Sequence, residues 1–245
     1  MRPEIQCLDT AAMPWTSLGT NGIRRKLLGV DAATGEETAY VEIPKGWRGV
    51  GNGHHHSVYE EALIISGDVS LNGVDSLVAG SYLYRPGGIV HGSDEQSRDG
   101  CLCLIRMGGK TDLNYIDGPK RPDEFVLDPV EDGRPHIVHL VTERMPWTWH
   151  GTGAARWGRK VLSEDIVTGA RSEILSFPRR WTGTATLPLG RDAELFVIHG
   201  TAGLADGTHL NAGCYASAPA SRTTPVSIAV AEAALVAVWI GPVAA

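Results

Sequence analysis

The sequence predicts an all-β fold built from two similar halves, and three observations support this. Thirty Gly and fourteen Pro in 245 residues indicate many turns between short elements. Short apolar runs that end at turn residues are typical of strands, and no window longer than about twelve residues shows a capped helical stripe. The third observation is an internal repeat. Hydrophobic residues make up 42% of the chain, which is enough to bury a core.

The repeat consists of residues that recur at a spacing of 132 to 134 along the chain. A Met-Pro-Trp-Thr segment at 13–16 returns at 145–148. Other recurring pairs are Pro44 with Pro178, Trp47 with Trp181, Gly67 with Gly200, Gly80 with Gly213, Pro86 with Pro219 and Gly108 with Gly241. We therefore predict a tandem duplication, with a first domain over 1–118, a connector over 119–133 and a second domain over 134–245.

The apolar runs of the two copies occupy matched positions. Residues 62–65 and 195–198 are each followed by a turn that contains Gly, which is the pattern of a short buried strand. Residues 102–107 and 235–240 are predicted to be late strands of each copy. Closure of these strands into barrels would remove exposed sheet edges. We expect two tandem β-barrels.

Charge and cysteine content argue against several classes of protein. The formal net charge is -6, so neither nucleic acid nor a membrane surface is expected as a partner. Cys7, Cys101, Cys103 and Cys214 match neither a disulfide framework nor a paired metal motif, and Cys101 and Cys103 are predicted to be core residues. The N-terminus lacks the apolar stretch of a signal peptide, and buried strands explain the apolar stretch at 226–245. We expect a cytoplasmic protein.

One region carries a pattern of metal ligands. His54 and His56 alternate along a predicted strand, so both side chains can point to one face while His55 points away. Glu60 follows shortly after them, and His91 follows a Pro-Gly-Gly turn that can return the chain across the barrel. Imidazole and carboxylate ligands around an open site suit Fe, Mn, Ni, Cu or Zn. The predicted metal ligands are therefore His54, His56, Glu60 and His91.

The spacing of these residues resembles that of the cupin superfamily. The segments similar to the first and second cupin motifs are His54-x-His56-x3-Glu60-x6-Gly67 and Gly80-x5-Pro86-x-Gly88-x2-His91. The resemblance implies a bicupin, which is a tandem pair of double-stranded β-helix barrels. It also implies one divalent metal per chain, with Fe(II) favoured and Zn, Ni or Mn as other possibilities. The sequence departs from the motifs at a displaced glycine before the first His and at Glu95, where Asn is usual.

Further details resemble the cupin branch that contains the ChrR cupin domain and the acetylacetone-cleaving dioxygenase. These details are the Glu60-Glu61 pair, Gly80-Ser81-Tyr82 and the segment 100–104. In some members of this branch three His hold the iron and the Glu does not contact it. Glu60 is therefore the ligand that the resemblance supports least.

The second copy does not repeat the ligand set. The positions that correspond to His54 and His56 are Leu187 and Leu189, or Pro188 and Gly190, while Ala193 corresponds to Glu60 and Thr224 to His91. We therefore predict that the second barrel binds no metal and that apolar side chains fill its former site. Glu194 matches Glu61 and is predicted to be a salt-bridge or turn residue.

The sequence offers weaker candidates for catalytic residues. Tyr82, Tyr84, Arg85 and Arg106 lie on predicted strands near the metal ligands, where one or two of them could face the cavity and bind a substrate anion or an enolate. Alternation along the strands does not decide which of them face inward. Packing is the more frequent role for each of them.

The resemblance implies an enzyme that acts on a small organic molecule. The first expectation is an Fe(II) dioxygenase that cleaves a diketone-like or enolisable compound, because a neutral His set with open positions can hold a bidentate keto-enolate and dioxygen. One alternative is a cupin lyase, isomerase or hydrolase in which the metal is a Lewis acid and Glu60 or a Tyr is the base. A non-catalytic metal-binding sensor like ChrR is the other alternative. A homodimer is a further expectation.

Overall fold

The computed structural model of the protein describes residues 7–19, 21–116, 125–126, 132–181, 183, 185–204, 207–221, 226–230 and 232–243. In this part of the chain the regular elements are β-strands and 3₁₀ helices of three residues, which confirms the predicted all-β fold class. Among the described residues there is no helix with the length and apolar character needed to cross a membrane.

The strands follow one another with short connections. The described first half contains β1 (Leu8–Asp9), β2 (Thr16–Ser17), β3 (Arg24–Val30), β4 (Glu37–Ile43), β5 (His54–His55), β6 (Glu60–Val69), β7 (Leu77–Val78), β8 (Ser81–Arg85), β9 (Ile89–Val90), β10 (Cys101–Met107), β11 (Asn114–Tyr115), β12 (Phe125–Val126) and β13 (Ile137–Val141). The described second half contains β14 (Thr148–His150), β15 (Trp157–Glu164), β16 (Arg171–Phe177), β17 (Ala185–Leu187), β18 (Ala193–His199), β19 (Thr201–Leu204), β20 (His209–Asn211), β21 (Cys214–Ala218), β22 (Val226–Ala229) and β23 (Ala234–Ile240). The 3₁₀ helices are Thr10–Ala12, Thr142–Arg144 and Gly153–Ala155.

The chain divides into two compact units. The first barrel is Pro14–Glu143, and the second barrel is Met1–Met13 together with Arg144–Ala245. The main sheet of the first barrel has the order β13-β8-β6-β10-β4-β3-β2, and β11-β5 and β12-β9 form smaller sheets. In the second barrel the main sheet has the order β1-β21-β18-β23-β16-β15-β14, with β17-β22-β19-β20 as a second sheet. The repeated strand order supports the predicted duplication.

The boundaries of these units differ from the predicted domains at 1–118 and 134–245. The first strand of each copy pairs inside the unit that holds the other copy, since β1 pairs with β21 and β13 pairs with β8. The hydroxyl groups that follow these strands make the same hydrogen bond, from Thr10 Oγ1 to Gly213 O and from Thr142 Oγ1 to Gly80 O, at 2.7 Å each. Most of the predicted connector at 119–133 lies outside the described residues.

Each barrel has its own apolar core, because alternate strand residues face its interior. In the first barrel the core includes Ala39, Val41, Ile43, Trp47, Ala62, Ile64, Val69, Leu77, Leu83, Cys101 and Cys103. In the second barrel the core includes Leu175, Phe177, Trp181, Leu187, Leu195, Val197, Leu204, Leu210, Val236, Val238 and Ile240. The burial of Cys101 and Cys103 confirms their predicted role as core residues.

The recurring glycines Gly67 and Gly200 allow a close approach of two backbones at the same place in each barrel. Both have positive φ, +76° and +81°. A Cβ atom would lie 1.8 Å from the carbonyl oxygen of Gly100 at the first position and 1.7 Å from that of Ala233 at the second. Only glycine avoids this overlap, which explains why both copies carry it.

Candidate metal centre

Strand pairing brings three of the predicted ligands together. His54 lies in β5, His56 follows that strand, and His91 directly follows β9. The backbones of His54 and His91 pair through two N–H···O hydrogen bonds of 2.9 Å each. Among the described residues, these three histidines are the group of His, Cys, Asp and Glu side chains whose ligand atoms, within 4.8 Å of one another, could hold a metal. All three side chains are buried.

Backbone carbonyls orient two of the three imidazole rings. The Nδ1 of His56 makes a short hydrogen bond with the carbonyl oxygen of Asp112. The Nδ1 of His91 lies 3.0 Å from the carbonyl oxygen of Ile89. Because a carbonyl oxygen only accepts, each Nδ1 must carry the proton, and each Nε2 keeps a free lone pair. This is the tautomer that a metal ligand needs.

The surroundings also keep His54 and His91 neutral. Burial and, after it, the neighbouring His91 and His56 lower the pKa of His54 to about 3. Burial, followed by the positive charge of Arg85, lowers the pKa of His91 as well. Neutral imidazoles are metal ligands, whereas imidazolium is not. The three histidines therefore fit a divalent cation in spacing, and the lowered pKa values of His54 and His91 keep these two rings in the form that binds a metal.

Glu60, the first residue of β6, lies beside this group. Its Oε2 is 3.3 Å from His91 Nε2 and 3.6 Å from Arg85 Nη1. Burial by itself would raise the pKa of Glu60, but the neighbouring side chains of His91, His56 and Arg85 lower the pKa overall. The carboxylate is thus ionised, paired with Arg85 and placed against the Nε2 atom of His91. Its role as a fourth ligand stays a prediction.

Of the catalytic candidates on β8, only Arg85 faces the barrel cavity. Successive side chains on a strand point to opposite faces, and Leu83 and Arg85 line the cavity. Tyr82 and Tyr84, which alternate with them, do not line it. Of the candidates that alternation left open on this strand, the structure thus places Arg85 at the cavity and both tyrosines away from it.

The excluded candidates belong to a buried polar network away from the cavity lining. Tyr82 and Tyr84 donate their hydroxyl groups to Glu61 at 2.7 Å and to Asp132 at 2.6 Å. Arg106, which does not line the cavity either, donates to the hydroxyl oxygen of Tyr59 at 2.7 Å. These side chains have protein partners, so a packing role explains all three of them.

The interior of the first barrel contains a cavity of about 480 Å³. Its polar lining includes the three histidines, Glu60, Arg85 and Glu95. Most of the remaining wall is apolar and includes Ala39, Val41, Ile43, Trp47, Ala62, Ile64, Val69, Leu77 and Leu83. Arg25 and Glu37, which also line it, pair with each other at 2.8 Å.

Glu95 is a site residue that the sequence analysis did not select. Its carboxyl group lines the cavity, and burial together with the charge of Glu60 raises its pKa to about 8. The available signal was the departure from the second motif at this position. A carboxyl group at a position where an amide is usual adds a titratable group to the site.

The second barrel differs at the matched positions. Leu187 and Ala193 are buried in its core, whereas Leu189 is 49% exposed and does not fill the former site as predicted. Thr224 lies outside the described residues. Glu194 is buried within β18 and accepts a hydrogen bond of 2.7 Å from the Tyr215 hydroxyl, so it is not a turn residue.

Comparisons with known proteins extend this description. Residues 4–110 match the family model described as the ChrR Cupin-like domain. A candidate dioxygenase from Nostoc punctiforme PCC 73102 is 19% identical, with 98% of this chain and 83% of that chain covered and a TM-score of 0.77. No curated protein sequence matches the chain significantly.

Two enzymes of known activity have similar structures. The oxalate decarboxylase of Lactobacillus farciminis, in a formate complex, is 14% identical over 96% of this chain and 86% of that chain, with a TM-score of 0.62. The salicylate 1,2-dioxygenase of Pseudoaminobacter salicylatoxidans is 13% identical over 84% and 71% of the respective chains, with a TM-score of 0.59. At such identities the likeness shows the fold.

Proposed function

We propose that this protein, whose residues 4–110 match a cupin family model, is a metal-dependent enzyme whose first barrel binds one divalent cation and a small organic substrate. The observation that carries the proposal is the group of three buried, converging histidines at a cavity inside the barrel. A protein that used the barrel only as a scaffold would not need three converging imidazoles in the wall of an interior cavity.

The cavity supports a substrate that is small and largely apolar. Its volume of about 480 Å³ lies in the usual range of small-molecule sites, about 300–1,000 Å³. The two cationic side chains that line it, Arg85 and Arg25, already face the carboxylates of Glu60 and Glu37. The wall thus favours an uncharged body, and the histidine side of the cavity favours oxygen atoms that can bind a cation.

Within this class we propose an Fe(II) dioxygenase that cleaves a diketone-like or enolisable compound. Iron bound by His54, His56 and His91 would supply the redox chemistry with dioxygen. The chain's own residues hold the neutral imidazoles in place, keep Glu60 ionised beside His91, and surround the substrate with an apolar wall that excludes water. The likeness to a candidate dioxygenase and to a salicylate 1,2-dioxygenase supports this choice.

The test is elemental analysis of protein purified without a His tag or chelating column, followed by oxygen uptake with a panel of 1,3-diketones and catechol-like compounds. We expect about one iron per chain and substrate-dependent oxygen consumption. Protein that binds no divalent metal even after reconstitution would overturn the whole proposal. Metal binding without oxygen uptake on any compound of the panel would overturn the dioxygenase assignment.

A second candidate function is a metal-dependent lyase or isomerase that needs no oxygen. The observation in its favour is the buried carboxyl group of Glu95 in the cavity wall, since such a group can transfer protons without a redox step. The likeness to oxalate decarboxylase is consistent with this fold supporting such chemistry. Turnover by the Zn(II)-loaded protein under anaerobic conditions would select this candidate over the dioxygenase.

A further inference from the structure

Glu60 and Glu95 are two of the carboxyl groups that line the cavity of the first barrel, and their surroundings differ. Glu60 Oε2 lies 3.6 Å from Arg85 Nη1, with which it forms an ion pair, and 3.3 Å from His91 Nε2, so it lies against the histidine group. For Glu95, no described residue makes a hydrogen bond or ion pair with the carboxyl group. Of the two carboxylates, only Glu95 is available to a substrate.

Glycines provide the space in which the Glu95 carboxyl group lies. A Cβ atom on Gly49 would lie 3.2 Å from Glu95 Oε2. On Gly92 it would lie 2.9 Å from Glu95 Oε1 and 2.8 Å from His54 Nδ1. Side chains at these two positions would displace the carboxyl group or the imidazole. The backbone therefore places Glu95 on the same side of the cavity as the histidine group.

The surroundings also separate the protonation behaviour of the two groups. Burial and, to a lesser degree, the charge of Glu60 raise the pKa of Glu95, Arg85 opposes them, and the resulting pKa is about 8. The partners of Glu60 lower its pKa instead. The position of Glu95 in the cavity wall, without a hydrogen-bond or ion-pair partner among the described residues, is what makes its carboxyl group accessible to a substrate.

We propose that Glu95 is the general base of this site and that its carboxylate removes the α-proton of an enolisable carbonyl substrate. The C–H bond breaks, its electron pair becomes that of the enolate, and the proton is taken up by an oxygen of Glu95. The proton later returns to the product or to solvent, which restores the carboxylate. This inference rests on the proposed function because it requires a substrate with an acidic α-carbon.

The test uses the full chain loaded with Zn(II) and kept anaerobic, so that proton transfer is followed without oxidation. The probe is 2,4-pentanedione, and stopped-flow ultraviolet absorbance measures the rate of enolate formation. We expect Glu95→Gln to slow this step by about 100-fold or more, as for the loss of a general base. We expect Glu95→Ala to be equally slow and to recover partly when formate is added.

Metal content, measured by elemental analysis, separates a base from a residue that merely supports the ligands. We expect Glu95→Gln and Glu95→Ala to retain wild-type zinc. Asp94→Asn is the matched control, because it removes a neighbouring carboxylate that does not line the cavity, and it should form the enolate at the wild-type rate. An Asp94→Asn rate as low as that of Glu95→Gln would indicate a general loss of charge and would overturn the assignment.

The remaining outcomes distinguish this inference from the proposed function. If the wild type forms the enolate and Glu95→Gln forms it equally fast, Glu95 is not the base, while the proposed function stands. Zinc lost from Glu95→Gln together with enolate formation would show a positioning role and overturn the assignment as base. If the zinc-loaded wild type forms no enolate, both the enolisable substrate class and the base are overturned.

Discussion

The two barrels share a strand order but use their interiors differently. Glu60 pairs across the sheet with Arg85 in the first barrel, and the matched residues of the second barrel, Ala193 and Ala218, occupy the same register. Two charged side chains at the cavity are thus replaced by two methyl groups. The fold forms with either pair, so the ligand set is not what holds a barrel together.

Larger apolar side chains occupy the second interior at positions where the first barrel leaves space. Ala62 pairs with Ile105 in the first barrel, and Leu195 pairs with Val238 at the matched positions of the second. Ile43 corresponds in the same way to Phe177, which is 1% exposed. Full burial of such a side chain stabilises a fold by about 1.5–3 kcal/mol. A few side chains therefore decide whether this barrel has a packed interior or a cavity.

The largest expected effect comes from removing one ligand from the first barrel. His54→Ala should abolish stoichiometric metal binding, because two imidazoles and a carboxylate already engaged by Arg85 hold a cation poorly. Elemental analysis after dialysis measures this loss. The control is His209→Ala, which removes an exposed histidine from the second barrel and should leave the metal content unchanged. Full metal content in His54→Ala would contradict the site assignment.

Exchanging the residues at one matched core position should change the free energy of unfolding much more in the second barrel than in the first. Leu195→Ala leaves a void in the packed interior and should lower the free energy of unfolding by about 2–5 kcal/mol in chemical denaturation. Ala62→Leu places the larger side chain in the cavity and should change this free energy by less than about 1.5 kcal/mol.

The same Ala62→Leu variant sharpens the functional comparison. We expect it to keep its metal and to lose substrate binding, because the added side chain occupies the cavity that Ala62 lines. Elemental analysis and a titration with the diketone measure the two properties separately. Unchanged diketone affinity in a metal-loaded Ala62→Leu protein would show that the substrate does not enter this cavity.

Acidification should destabilise the metal-free protein through the first barrel. The pKa of His54 is about 3 in the folded protein, whereas an unfolded His has a pKa of about 6.5. Between these values the unfolded chain binds the proton, so the free energy of unfolding falls as the pH decreases from about 6.5 towards 3. Denaturation of metal-free protein at several pH values measures the slope. His54→Leu, which introduces the residue type found at Leu187 in the second barrel, should make the free energy of unfolding depend less on pH. An unaltered slope would contradict the assignment of this pH dependence to His54.

Matched variants of the two barrels should differ least in free energy of unfolding where both barrels make the same hydrogen bond. The Tyr82 hydroxyl donates to Glu61 and the Tyr215 hydroxyl donates to Glu194, at 2.7 Å in both cases and in buried surroundings. Tyr82→Phe and Tyr215→Phe should each lower the free energy of unfolding by about 1.5–3 kcal/mol, as for hydrogen bonds to charged groups. Neither should alter metal content. A loss of metal in Tyr82→Phe would place that residue back at the site.

Local spacing was enough to predict three members of the metal group. Alternation puts His54 and His56 on one face, and the glycine-rich turn before His91 returns the chain to their side. The strand pairing of His54 with His91 completes this arrangement. Such residues can be found from the sequence because their chemistry and their spacing are both local properties.

Alternation did not reveal which face of β8 lies inside the barrel. It places Tyr82 and Tyr84 on one face and Leu83 and Arg85 on the other. Both faces are buried, so the sequence pattern does not show which face points into the barrel. The interior face follows from barrel closure, which involves strands far apart in the chain. The availability of Glu95 was equally hidden, because it depends on the partners that Glu60 finds in His91 and Arg85.

Turn residues, alternation and motif spacing are properties of neighbouring residues, so they are enough to predict a repeated all-β chain with one group of histidines that could hold a metal. Only the tertiary structure decided that the first strand of each copy joins the other unit. It also decided which side chains line the cavity and which of their carboxyl groups makes no hydrogen bond or ion pair with a described residue. These features arise when residues distant in sequence compete for the same space and the same charges.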